Sequence, residues 1–136
     1  MVQFYALSIF LNIFIGLMLS IGGADEKETF FTRIKGLLEE KGSKFSFGLV
    51  SVLIGFFKIL SPTRGDVPVV GDLLPAVTGI ALGSVLLLDF LKNSSDVRSA
   101  VVEKFDDIIT LNRKYVGMAG VLIGVLHFLM PGVVIL

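Results

Sequence analysis

Four long apolar runs separated by charged stretches organise the chain: Val2 to Ala24, Phe45 to Leu60, Leu73 to Leu91 and Tyr115 to Leu136. A helix needs roughly 20 apolar residues to cross a hydrocarbon core about 30 Å thick, and each run comes near that length. The bilayer offers no water to satisfy backbone groups, and four runs of this length do not suit a closed barrel, so each is expected to be a membrane-spanning helix. The first run carries no formal charge from Val2 until Asp25 and has Asn12 near its middle. The second is the shortest and contains Lys58, the third is free of charge from Leu74 to Leu88, and the fourth holds the only histidine, His127, before Pro131 bends or ends it. Gly22-Gly23-Ala24 resembles a signal-peptidase site, but the amino end lacks Lys or Arg and the apolar run is longer than a signal peptide's, so a retained span is expected.

The charged stretches have a pattern of their own. Ten of the twelve basic residues fall in two linkers, 25–44 (Lys27, Arg33, Lys35, Lys41, Lys44) and 92–114 (Lys92, Arg98, Lys104, Arg113, Lys114). With four spans both linkers lie on one side, which the positive-inside rule makes cytoplasmic, and both termini lie outside. The remaining loop, Pro62 to Asp72, has only Arg64 against Asp66 and Asp72, as an external loop should. Within the linkers Phe30, Phe31, Ile34, Leu37 and Leu38, and again Val97, Val101, Phe105, Ile108 and Ile109, recur at helical spacing among charges. Both linkers therefore read as amphipathic helices at the cytoplasmic interface, with Asp25 and Glu28 capping the first and Gly42 stopping it. The competing reading makes them extensions of the membrane helices packed on each other.

The chain also repeats itself. At an offset of 69, Gly48 to Pro62 lies over Gly117 to Pro131: both read Val-Leu-Ile-Gly, then a basic-capable residue (Lys58, His127), then Leu and Pro, all in register. Ile13 to Gly16 lies over Ile80 to Gly83 at an offset of 67. The expected architecture is thus an all-α, four-helix membrane bundle in a single domain, built from two tandem two-span repeats (1–62 and 72–136). The repeats are parallel, related by an axis along the membrane normal. Small residues recur four apart in every span, as Gly16 and Ser20, Ser51 and Gly55, Gly79 and Gly83, and Gly120 and Gly124, which lets helix backbones approach closely. The pattern leaves open whether the partner helix belongs to the same chain.

Composition agrees with a bilayer rather than water: 54% of the 136 residues are hydrophobic and 18% charged, with a mean hydropathy of +0.87. Twelve basic residues balance twelve acidic ones, so no nucleic-acid partner is expected. Cysteine is absent, which removes thiolate metal sites and cysteine nucleophiles.

Few side chains can carry chemistry. Lys58 and His127 occupy matching repeat positions in the outer third of the membrane, where an ionisable group is a candidate proton relay, ligand contact or counter-ion. The plainer alternatives are that Lys58 extends its ammonium to the external interface or pairs with Asp66 or Asp72, and that His127 is a neutral imidazole hydrogen-bonded in the bundle. Asp89 lies three residues before Lys92, where an interfacial ion pair is the ordinary account. Asn12 can hydrogen-bond across helices. No nucleophile has a base beside it and no three metal ligands cluster, so neither an enzyme nor a metal or cofactor site is expected. The expected role is an accessory or scaffold subunit of a prokaryotic inner-membrane complex. It would assemble through its glycine-lined faces, with itself or with another integral membrane protein, among membrane lipids. The rival is a small transporter or channel that uses the repeat interface, for a proton-coupled, ionic or lipid-like substrate.

Overall fold

A computed structural model describes residues 2–21, 36, 40–60, 73–94 and 100–130. Among these the regular structure is helical throughout: α1 (Val2–Ile21), α2 (Lys41–Leu60), α3 (Leu73–Ser94) and α4 (Ala100–Leu129). Three stretches are long and apolar enough to cross a membrane, Gln3–Ser20, Gly42–Leu60 and Leu73–Asn93. They match the first three expected spans.

The fourth span differs from expectation. Ala100–Leu129 is one continuous helix of 30 residues, so from Ala100 onward the second linker is not a separate helix but the first half of α4. No Gly or Pro stands between Ala100 and Val116. Charges alone do not break a helix, whose backbone bonds they leave intact. The apolar part, Tyr115–Leu129, gives about 22 Å of helix at 1.5 Å per residue, short of a full crossing. Residues 131–136, which the expected span included, lie outside the described residues. So does most of the first expected interfacial helix, and so do Asp66 and Asp72. Gly42, expected to end that helix, instead sits in the first turn of α2, where Ser43 N and Lys44 N donate to Glu40 O at 3.0 and 3.2 Å. An added side chain at Gly42 would meet nothing within 4 Å, so glycine there is tolerated rather than required.

α3 begins Leu73-Leu74-Pro75, and Pro75 costs little there because the first-turn amides have no helical acceptor. Its ring is buried against the bundle.

The helices pair through glycine. α1 runs antiparallel to α4: a Cβ on Gly16 would lie 2.6 Å from Gly117 O, and one on Gly117 would lie 2.7 Å from Gly16 O. Further along, a Cβ on Gly124 would meet Ile13 Cγ1 at 2.7 Å. α2 runs antiparallel to α3 in the same manner, with a Cβ on Gly83 reaching to 2.6 Å of Gly48 O and one on Gly55 to 2.6 Å of Ala76 O. Real Cβ atoms do not come so close to backbone oxygens, so these positions admit glycine alone unless the helices move apart. The small-residue stripes are therefore filled by neighbouring helices of this chain. That removes the free glycine-lined faces on which the subunit expectation relied.

Leu11, Ile15 and Leu19 of α1 meet Ile54 of α2 and Leu82, Val85 and Leu86 of α3 to form the apolar core. Many large apolar side chains, among them Phe10, Phe56, Leu122 and Phe128, are also exposed on the outside of the bundle. In water such a surface would be costly, whereas in lipid it is the ordinary exterior of a bundle.

Candidate functional site

The pairing brings the start of α1, the end of α2, the start of α3 and the end of α4 to one end of the bundle. There Lys58 Nζ lies 2.8 Å from His127 Nε2. Both side chains are buried, 6% and 1% exposed. Lys58 is thus buried in the bundle rather than extended to an interface, while the alternative pairing with Asp66 or Asp72 falls on residues outside the described ones. Burial among apolar helices explains the choice of partner, since an ammonium there needs an acceptor. An ammonium has donors only, so when Lys58 is charged His127 Nε2 must accept and the proton of the neutral ring sits on Nδ1. If Nε2 carries a proton, the amine of Lys58 must be neutral to accept it. In every arrangement that keeps this contact the pair holds at most one positive charge. It is a site where one proton can change hands over a single hydrogen bond.

Tyr5, which sequence reasoning did not single out, holds this pair from α1. Its hydroxyl donates to His127 O at 2.6 Å. In an uninterrupted helix that carbonyl would accept from the amide of residue 131, but residue 131 is proline and has no N–H. Tyr5 supplies the missing donor. Its ring lies against the imidazole, with centroids 4.6 Å apart and planes at 53°, and Lys58 Nζ stands 5.5 Å from the ring centroid. A cation over an aromatic face is stabilised by about 0.5 to 2 kcal/mol, more as water is excluded. One residue therefore orients both bases. The signal that could have found it is the proline, which predicts an unpaired carbonyl on His127.

Asn12 lies in the bundle interior at 1% exposure. Its Nδ2 donates to Pro75 O at 3.0 Å, tying α1 to α3, while Oδ1 has no hydrogen-bond partner among the described residues. Ser51 Oγ donates to Gly79 O at 2.8 Å, tying α2 to α3. Ser20 Oγ turns back on Gly16 O at 2.8 Å within α1. An added Cβ on Gly120 would meet Leu82 Cδ1 at 2.7 Å and one on Gly79 would meet Asn12 Oδ1 at 3.2 Å, so all eight small residues lie at intrachain helix contacts or within them.

Asp89 is at the opposite end. It has partners on other helices: Arg113 Nη2 reaches Oδ2 at 2.7 Å, Arg113 Nη1 donates to Oδ1 at 3.2 Å, and Lys44 Nζ is 4.0 Å from Oδ2. The guanidinium thus hydrogen-bonds one carboxylate oxygen and makes a close ion-pair contact with the other. α2, α3 and α4 are clasped together here. Among the described residues no group of three or more His, Asp or Glu side chains comes together.

Alongside Tyr5 a groove of about 480 Å³ follows the outward face of α1 and is walled at one end by Phe128 of α4. Tyr5 contributes the only polar side chain among its lining residues.

No curated protein and no solved structure matches the chain. A family model for a domain of unknown function matches residues 1–127, most of the sequence, and the chain belongs to that family.

Proposed function

We propose that the chain is a small, non-enzymatic membrane transporter or channel whose working site is the buried Lys58–His127 pair between two tandem repeats. The observation that carries this is the 2.8 Å contact between two basic side chains inside the bundle. Basic groups are costly in a membrane interior and there tend to mark ion, proton or ligand pathways. The two residues sit at matching repeat positions and meet where the halves meet, as a substrate or coupling-ion site does in repeat-built transporters.

Packing supports the duplication. Adding 67 to α1 positions and subtracting 69 from α4 positions turns the Gly16–Gly117 contact into Gly83–Gly48, and turns Ile13–Gly124 into Ile80–Gly55; all four contacts are present. Lys44 and Arg113, also 69 apart, both face Asp89. In this reading the Asp89 end is cytoplasmic, following the basic linkers, and the Lys58 end is external. The amphipathic first half of α4, with Ile108, Leu111 and Tyr115 exposed along one side, lies at the cytoplasmic interface of a prokaryotic inner membrane.

The test is proton flux into proteoliposomes that carry a pH-sensitive dye in the lumen. Wild-type protein should dissipate an imposed pH gradient faster than empty vesicles, and His127→Leu should return the rate to the empty-vesicle value. A His127→Leu variant as active as wild type, or a wild type no faster than empty vesicles, overturns the proton-linked reading.

The subunit reading keeps one specific support, the apolar groove on α1, which a helix of another membrane protein would fill. Gentle extraction followed by mass measurement decides it: a stoichiometric second protein favours a subunit, and a lone chain or homo-oligomer favours the transporter.

A further inference from the structure

The outward face of α4 carries a spacing that the bundle does not use. Ile108, Leu111, Tyr115, Met118, Leu122 and Val125 are all exposed and alternate three and four residues apart, and the next step reaches Leu129, exposed as well. Three successive heptads thus present apolar residues at their first and fourth positions, the pattern of a helix that packs along its length against a partner helix. Arg113, Gly120 and His127, also seven apart, turn the other way, to Asp89, Leu82 and Lys58 of the same chain. At 100° per residue they stand close to the opposite side of the helix, so the seam points away from the chain's own bundle.

Lipid alone does not account for this seam. In hydrocarbon any apolar surface is covered, and no spacing is required of it. Ile108 and Leu111, however, are 61% and 80% exposed and precede Arg113 and Lys114, on the charged side of the apolar stretch, among Lys104, Asp107 and Asn112. α4 continues through this region as one helix, so the seam leaves the hydrocarbon without changing register. A face that stays apolar at one spacing on both sides of the membrane boundary is fitted to a helix that crosses the boundary with it, because lipid tails end there.

We infer that the occupant is α4 of a second copy, and that the chain forms a parallel homodimer along Ile108 to Leu129. Two copies inserted the same way are related by a two-fold axis along the membrane normal, which sets each seam residue against its own counterpart. The flanks of the seam then complement themselves. Asp107, exposed on one edge, comes level with Asn112 of the second copy, exposed on the other. Asn112 Nδ2 already donates to Ile108 O at 2.9 Å and keeps a second N–H for that carboxylate. Lys114 comes level with Ala119, whose small side chain leaves room for the lysine stem. The next seam position before Ile108 is Lys104, where two ammonium groups would meet, so the seam ends there. Its exposed area is of the same order as the roughly 800 Å² that each partner buries in a stable interface. Each Lys58–His127 pair stays on the far side of its own α4, so the dimer carries two separate sites.

The chain has no cysteine, so single cysteines placed in the full chain test the seam in phosphatidylcholine–phosphatidylglycerol proteoliposomes. A disulfide forms only where Cβ atoms come within about 4.5 Å, so Leu111→Cys and Met118→Cys should give covalent dimers on oxidation about tenfold faster than cysteines away from the seam. Phe10→Cys and Phe56→Cys are those controls, about as exposed as Met118 but on α1 and α2. Leu111→Lys, at an exposed position on the charged side of the apolar stretch, sets like charges across the axis and leaves the chain's own core intact. It should weaken dimerisation about tenfold, equivalent to about 1.4 kcal/mol, read as energy transfer between labelled copies while lipid is added. Cross-linking at Phe10→Cys or Phe56→Cys as fast as on the seam overturns the inference. So does a Leu111→Lys equilibrium equal to the wild type's, or a wild type that stays monomeric in lipid, whose seam is then covered by lipid alone.

Discussion

The two ends of the bundle use the same repeat positions to opposite effect. At one end Lys44 and Arg113 approach a shared carboxylate, Asp89; at the other Lys58 and His127, also 69 residues apart, approach each other. A carboxylate between two cations compensates charge, and with Arg113 and Lys44 drawn to Asp89 from two helices the arrangement is a clasp. Two bases in contact cannot neutralise one another. The hydrogen bond between them holds one proton, and the Tyr5 ring packs against both. Charge cost is justified by cohesion at the Asp89 end, whereas at the Lys58 end cohesion would have been better served by apolar residues. Under the proposed function, the difference gives structure to one end and work to the other.

That assignment can be broken by substitution. The largest effect is expected at the glycines that carry both helix pairs, because if those contacts open, neither end keeps its geometry. Gly83→Ala places a Cβ only 2.6 Å from Gly48 O, and should destabilise the bundle by about 1 to 3 kcal/mol. Gly42→Ala, with nothing within 4 Å, should leave it unchanged. Thermal loss of the monodisperse detergent-solubilised species compares the two. Next comes Asp89→Asn, which leaves Arg113 and Lys44 facing one another without their carboxylate. The side chains are 15% exposed for Asp89 and Lys44 and 38% for Arg113, so the loss should be about 1 to 2 kcal/mol, below the cost of breaking a fully buried pair. Proton flux by the folded fraction should persist.

Tyr5→Phe keeps the ring but removes the donor to the His127 carbonyl, and should cost about 1 kcal/mol in the same melt. The smallest stability effect belongs to Lys58→Met. Replacing the buried ammonium by a thioether of similar shape should leave the melting temperature unchanged or raise it slightly, while abolishing flux. A Lys58→Met protein that melts as early as Asp89→Asn would make both ends structural and erase the contrast.

Much of the fold was legible because a bilayer allows few solutions. Apolar runs located α1, α2 and α3, and the small residues four apart marked the faces through which helices pack. What the glycines could not reveal was their partners, since a stripe of small residues admits any helix that fits, and here the fit is within the chain. The continuity of α4 was hidden because a change from apolar to charged residues looks like a boundary, yet only Gly and Pro weaken the backbone itself. At Asp89 local spacing suggested Lys92 and gave no sign of the guanidinium that reaches the carboxylate from another helix.

The candidate site was half visible. Repeat register paired Lys58 with His127 as equivalents, but equivalence does not imply contact. That needed the crossing of α2 and α4 at one end. Tyr5 was missed because its role depends on a donor absent at Pro131, at the far end of the chain from itself.

The central claim is that His127 and Lys58 share one hydrogen bond inside the bundle, and the single histidine makes it directly measurable. Nitrogen NMR of histidine-labelled protein in nanodiscs should show one ring whose Nε2 resonance reports a strong hydrogen bond and moves when Lys58 becomes Met, while the fold is retained. An imidazole spectrum identical in wild type and Lys58→Met would contradict the account.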